Sequence, residues 1–109
     1  MDDLKQEDTE AIGNDPTLLL VDDDKPFLQR LARAMESRGF QVTTAESVEE
    51  GIAAAKAAAP AYAVVDMRLG DGNGLDIIEA IRSRRADTRA IVLTGYGNIA
   101  TAAVSYTHL

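Results

Sequence analysis

From position 16 onward, short apolar runs alternate with longer stretches of helical periodicity. Residues 17–21, 41–45, 62–65 and 89–93 read as strands, and residues 26–38, 47–59 and 74–84 read as helices. The order is β-α-β-α-β-α-β, with no long-period internal repeat. Three of the strands, Leu18-Leu19-Leu20-Val21, Ala63-Val64-Val65 and Ile91-Val92-Leu93, are continuously apolar rather than alternating. That is the pattern of parallel strands covered by helices on both faces. The predicted fold class is therefore α/β, a doubly wound parallel sheet; if it takes the 2-1-3-4-5 order, strands one, three and four are neighbours. The first helix carries Phe27, Leu31, Ala34 and Met35 on one stripe, with Pro26 at its start and Gly39 just past its end. The second opens on Ser47-Val48-Glu49-Glu50, a capping box, and points Val48, Ile52 and Ala55 inward. The third buries Leu75, Ile78 and Ile81 and leaves Ile77 off the stripe.

In such a sheet, ligands collect beyond the carboxyl ends of the strands, where the strand order switches direction. Asp22, Asp23 and Asp24 follow the first strand, Asp66 the third and Thr94 the fourth. Singly, each has an ordinary explanation: Asp24 as a helix N-cap, Asp66 as a turn acid, Thr94 as a turn hydroxyl. Jointly, Asp22, Asp23, Asp66 and Thr94 bring oxygen-bearing groups from three strand ends to one rim. Clustered carboxylates repel unless a cation neutralises them, and Mg²⁺ suits a few carboxylates plus phosphate oxygens. The segment Met-Arg-Leu-Gly-Asp-Gly-Asn-Gly, residues 67–74, reads as a flexible glycine-rich turn beside these acids, and it matches no nucleotide-binding loop pattern. Arg82, Arg84, Arg85 and Arg89 cluster around the end of the third helix, where cations complement its dipole.

Composition narrows the chemistry. The 109 residues include no Cys and one His, His108, which excludes thiolate chemistry, disulfide scaffolds and imidazole-rich metal sites. The net charge of −7 argues against phosphate-backbone binding by this segment. Residues 1–15 hold six acids and one base, and are expected to form a disordered acidic tail. No apolar run approaches the roughly 20 residues of a membrane span, and the N-terminus carries no secretory signal, so a cytoplasmic location is expected.

The residues just described resemble the receiver domain of bacterial two-component response regulators, the CheY-like fold. The resemblance rests on Leu-Leu-Leu-Val-Asp22-Asp23-Asp24, Tyr-Ala-Val-Val-Asp66-Met-Arg, Gly72-Asn73-Gly74-Leu75 and Ile-Val-Leu-Thr94-Gly, in order across residues 17–101. In wording the chain further resembles the redox-responsive global regulators of photosynthesis genes in purple bacteria, which carry a C-terminal Fis-type helix-turn-helix. The resemblance implies that Asp66 accepts a phosphoryl group from the histidine of a sensor histidine kinase. It also implies that Asp22, Asp23, Asp66 and the Arg68 backbone carbonyl hold Mg²⁺, and that the Thr94 hydroxyl contacts the phosphoryl group and switches a two-state equilibrium. The chain would then be a signalling domain with self-phosphorylation and autodephosphorylation chemistry only, not a turnover enzyme. It would dimerise in the full-length protein and touch DNA only through a missing output domain.

Two departures stand out. Gly70 replaces the Pro of many relatives, which loosens the loop but removes no chemical group. The family's lysine and switch aromatic on strand five have no counterpart, because the chain ends before that strand and residues 103–109 do not resemble the family's continuation. The expected organisation is an incomplete receiver domain over residues 16–104 and a non-native tail over 105–109. An uncovered edge on the fourth strand would favour self-association. Two other readings compete: a binding-only pseudo-receiver, and a haloacid-dehalogenase-like phosphohydrolase with Asp22-x-Asp24 and Asp22 as nucleophile. Against the latter, Lys25 is atypical and Asp66 would have no role.

Overall fold

The computed structural model of the chain describes residues 14–94 and the strand Ala103–Tyr106. Strands β1 (Thr17–Val21), β2 (Gln41–Ala45), β3 (Tyr62–Asp66), β6 (Arg89–Leu93) and β7 (Ala103–Tyr106) form one sheet in the order β2-β1-β3-β6-β7. Helices α1 (Lys25–Ser37), α2 (Val48–Ala57) and α3 (Gly74–Arg84) connect the parallel strands. Two short strands, β4 (Arg68–Leu69) and β5 (Gly72–Asn73), pair antiparallel just after β3. The segment expected to be a flexible turn is thus a small hairpin.

The alternation of side chains along β1 explains its unbroken apolar run. Leu18 and Leu20 join Leu28 of α1 on one face, while Leu19 and Val21 join Val48, Ala55, Ile77, Ile78 and Ile81 on the other. The α2 and α3 face holds the larger cluster, completed by Ala63, Val65, Ala90 and Val92 from β3 and β6. On the α1 face, Phe40 and Tyr62 meet edge to face, with ring centroids 5.5 Å apart. Beyond them lies a groove of about 710 Å³ lined by Met35, Phe40, Tyr62, Val64 and Ile91, and Ile91 of β6 is exposed on that face.

Two helix faces differ from the sequence pattern. In α1 the buried residue is Leu28, whereas Ala34 is exposed. In α3, Ile77 is fully buried and Leu75 only partly so. The reason lies across the helix interface: a Cβ on Gly51 of α2 would stand 2.6 Å from the Ile77 Cδ1, so the missing side chain makes the notch that Ile77 fills.

The edge of β6 is not open. β7 pairs with it antiparallel, Ala90 opposite Tyr106 and Leu93 opposite Ala103. A parallel crossover takes a dozen or more residues, more than the 94–102 connection provides, whereas an antiparallel return does not need that length. The fifth place in the sheet is therefore filled by residues that had been expected to leave it vacant. Residues 1–13 and 107–109, which carry most of the expected acidic tail and the end of the expected non-native tail with His108, lie outside the described residues. Asp15, assigned to that acidic tail, is instead anchored: its carboxylate accepts hydrogen bonds from the Thr17 backbone N–H (3.1 Å) and hydroxyl (2.7 Å) and pairs with Arg85 at 2.7 Å. Of the arginine cluster, Arg85 caps α3 and also reaches the Ala59 carbonyl and Asp87.

Candidate functional site

Strand register brings the predicted acids together. Val21 of β1 pairs with Val65 of β3, so Asp22 and Asp66 leave adjacent strands at the same level. Asp66 in turn pairs with Leu93 of β6, and Thr94 is the next residue along. Carboxylate oxygens of Asp22, Asp23 and Asp66 all lie within 4.8 Å of one another. Asp24 stays out of this group, as its Oδ1 accepts the Phe27 N–H at 3.1 Å and caps α1. The pair Asp22-x-Asp24 of the phosphohydrolase reading is therefore not what the fold assembles.

The Asp22 and Asp66 carboxylates are each held by local backbone. The Asp24 N–H donates to the Asp22 Oδ1 at 2.8 Å, and the Asp22 N–H donates to the Ala45 carbonyl at 3.1 Å. The Arg68 N–H donates to the Asp66 Oδ1 at 3.3 Å, the Met67 N–H to the Leu93 carbonyl at 2.8 Å, and the Gly74 N–H to the Met67 carbonyl at 2.8 Å. The start of α3 presses on the end of β3: a Cβ on Gly74 would overlap the Asp66 carbonyl oxygen and stand 2.7 Å from the Val65 Cγ1. Only glycine lets the helix begin so close to Asp66.

Burial pushes the Asp66 carboxyl above the ordinary carboxylate value, and the Asp22 and Asp23 charges add to it against an opposing Arg68 N–H. Burial likewise raises Asp22, with Asp23 and Asp24 contributing repulsion. Two carboxyls on one rim are thus held in surroundings that penalise their charge, the condition a bound cation relieves. Carboxylate oxygens of the partly buried Asp22 and Asp66 and of the exposed Asp23, at the ends of adjacent strands, fit a hard divalent ion.

Sequence reasoning missed Asp71. Its two carboxylate oxygens accept the Val48 N–H (2.8 Å) and the Glu49 N–H (3.1 Å), joining the β4-β5 hairpin to the start of α2. These bonds hold the Asp71 carboxyl below the ordinary value. Ser47 caps the same helix through the Glu50 N–H at 3.0 Å, and Glu50 reaches back to the Glu46 N–H at 2.9 Å. The capping box was readable; that N–H groups it leaves free are taken by an acid 22 and 23 residues away was not.

A sequence profile of the response regulator receiver domain matches residues 18–108. The chain belongs to this family. Among curated receiver-containing proteins it is 70% identical over 95 residues to the acid tolerance regulatory protein ActR of Sinorhizobium medicae, covering 87% of this chain and 49% of that protein. It is 67% identical over 91 residues to the photosynthetic apparatus regulatory protein RegA of Cereibacter sphaeroides, covering 84% and 50%. This receiver thus spans about half the length of those relatives. Among solved structures, a response regulator from Burkholderia pseudomallei with a phosphorylated aspartic acid, calcium ion and citrate superposes with a TM-score of 0.71. The two are 38% identical, with 80% of this chain and 51% of that one covered. Among the described residues, no helix is long and apolar enough to cross a membrane.

Proposed function

We propose that this receiver domain accepts a phosphoryl group on Asp66 from a phosphohistidine of a sensor kinase. The observation that carries the proposal is the convergence of the Asp22, Asp23 and Asp66 carboxylates within 4.8 Å at the carboxyl ends of β1 and β3. An Asp66 carboxylate oxygen attacks phosphorus, the phosphorus–nitrogen bond to the kinase imidazole breaks, and an acyl phosphate forms on Asp66. Asp66 is the chosen nucleophile because it lies on β3, between β1 and β6, with Thr94 following its register partner Leu93. Asp22 and Asp23, from the end of β1, flank it as cation ligands.

Asp22, Asp23, Asp66 and the Arg68 backbone carbonyl are the groups that would hold Mg²⁺, which when bound offsets the repulsion between an anionic nucleophile and an anionic phosphoryl group. The Arg68 N–H keeps the Asp66 Oδ1 oriented and leaves its other oxygen for attack. The Thr94 hydroxyl donates to a phosphoryl oxygen, and the movement this favours is the signal passed to a DNA-binding output region in a protein of the relatives' length. The likeness to a structure holding a phosphorylated aspartic acid and a calcium ion supports this reading over a binding-only pseudo-receiver.

The test is intact-protein mass after incubation with acetyl phosphate, with and without Mg²⁺, for the chain and for Asp66→Asn. A single phosphoryl adduct that needs both Mg²⁺ and Asp66 is expected. An adduct of equal yield on Asp66→Asn, or none on the unsubstituted chain, would refute it.

A further inference from the structure

The β4-β5 hairpin carries the Arg68 N–H that orients Asp66 and the Arg68 carbonyl assigned above to the cation. At its tip, Asp71 makes two hydrogen bonds to the first backbone N–H groups of α2, at 2.8 and 3.1 Å. We infer that Asp71 is a positioning residue for the cation site, fixing the hairpin so that Arg68 presents its N–H to Asp66 and its carbonyl to the metal. This rests on the receiver reading of Asp66 and deepens it.

Three observations connect the tip to the site. The hairpin is only two residue pairs long, Arg68 with Asn73 and Leu69 with Gly72, so rotation at the tip is passed directly to Arg68. At its base the Gly74 N–H donates to the Met67 carbonyl and the Met67 N–H to the Leu93 carbonyl. Between tip and base, Leu69 is buried in the core cluster that also contains Val48, and a Cβ on Gly72 would be 3.4 Å from the Val48 Cγ2. Apolar packing therefore keeps the hairpin docked but is non-directional. The bidentate carboxylate supplies the direction, as outer-shell partners do for metal ligands elsewhere. Loss of Asp71 leaves the fold and removes the orientation.

The experiment is calorimetric titration of the full chain with MgCl₂, together with amide hydrogen exchange at Arg68, for the unsubstituted protein, Asp71→Ala, Asp71→Asn and Ser47→Ala. Asp71→Ala is expected to weaken Mg²⁺ binding about tenfold and to speed Arg68 exchange, with Asp71→Asn intermediate because it keeps one acceptor oxygen. Ser47→Ala removes a cap from the same helix without touching the hairpin, and is expected to lower the unfolding midpoint while leaving Mg²⁺ affinity unchanged. Asp71→Ala binding Mg²⁺ within about twofold of the unsubstituted chain would overturn the inference. So would Ser47→Ala weakening it equally, since the effect would then run through helix stability. Failure of the unsubstituted chain itself to bind Mg²⁺ would remove the receiver reading and this inference together, an outcome visible without any variant.

Discussion

Gly74→Ala puts a methyl group where α3 begins against the end of β3. Its Cβ would overlap the Asp66 carbonyl oxygen and stand 2.7 Å from the Val65 Cγ1 and 3.0 Å from the Asp66 carbonyl carbon. Two of the three obstacles are backbone and cannot rotate away. Val65 is fully buried, so its methyl has nowhere to go. Alanine is the better helix former by up to about 1 kcal/mol, and less at a first-turn position. Overpacking against fixed atoms costs roughly 1–3 kcal/mol, and here it also moves the Gly74 N–H away from the Met67 carbonyl that it holds at 2.8 Å. The steric cost wins, with a net loss of about 2 kcal/mol expected. That corresponds to a melting temperature lower by about 10 °C for a domain of this size. Gly70→Ala is the matched control, because nothing lies within 4 Å of a Cβ there. It should change stability by less than about 0.5 kcal/mol. Urea unfolding followed by circular dichroism, in buffer without divalent cations, compares the three proteins. Equal midpoints for Gly74→Ala and the unsubstituted chain would refute the reasoning, as would an equal loss in Gly70→Ala.

Other expectations concern charge and buried polarity. Asp66 and Asp22 have raised folded pKa values, so each favours folding fully at low pH and loses that contribution as pH rises through its folded value. At pH 7 without Mg²⁺, Asp66→Asn should therefore stabilise the chain, and Mg²⁺ should shrink the difference by stabilising the unsubstituted protein more than the variant; a destabilised Asp66→Asn in a thermal melt would contradict this. Asp15 has the opposite sign: Thr17 and Arg85 lower its carboxyl to about 2, so its contribution is present above about pH 4 and is lost as pH falls toward 2. Asp15→Asn should show a shallower fall in stability over that interval, and an unchanged acid-unfolding profile would rule the pairing out as a contributor. Thr88 is buried and its hydroxyl donates to the Pro60 carbonyl at 2.7 Å. Thr88→Val should cost about 1–2 kcal/mol in urea unfolding by leaving that carbonyl without its donor, and a neutral result would mean that the carbonyl finds another.

How far the fold could be read in advance follows from which forces are local. The parallel strands were legible because β1, β3 and β6 are apolar at successive positions, the pattern of strands in a helix-covered parallel sheet. The one-sided exposure of Ile91 was hidden, since it depends on what packs over β6 and not on β6 itself. Ile77 was misplaced because a stripe drawn through Leu75, Ile78 and Ile81 ignores the partner helix, where Gly51 opens the space that decides the facing. The antiparallel pairing of β7 depended on connection length and on an available edge rather than on any family pattern in residues 103–106. At the site, Asp22, Asp23, Asp66 and Thr94 could be placed on one rim because strand ends in a parallel sheet are brought level by register. Asp71 could not, because its partners are backbone groups of a distant helix start and backbone groups carry no sequence signature.

The central claim is that Asp66, and no neighbouring acid, becomes the acyl phosphate. The most direct measurement treats the chain with acetyl phosphate and Mg²⁺, reduces the acyl phosphate with borohydride so that the modified aspartate becomes homoserine, and locates that residue by peptide mass spectrometry. The account predicts conversion at Asp66 alone, with none when Mg²⁺ is withheld. Conversion at Asp22 or Asp23, or an equal yield at Asp66 without a divalent cation, would contradict it.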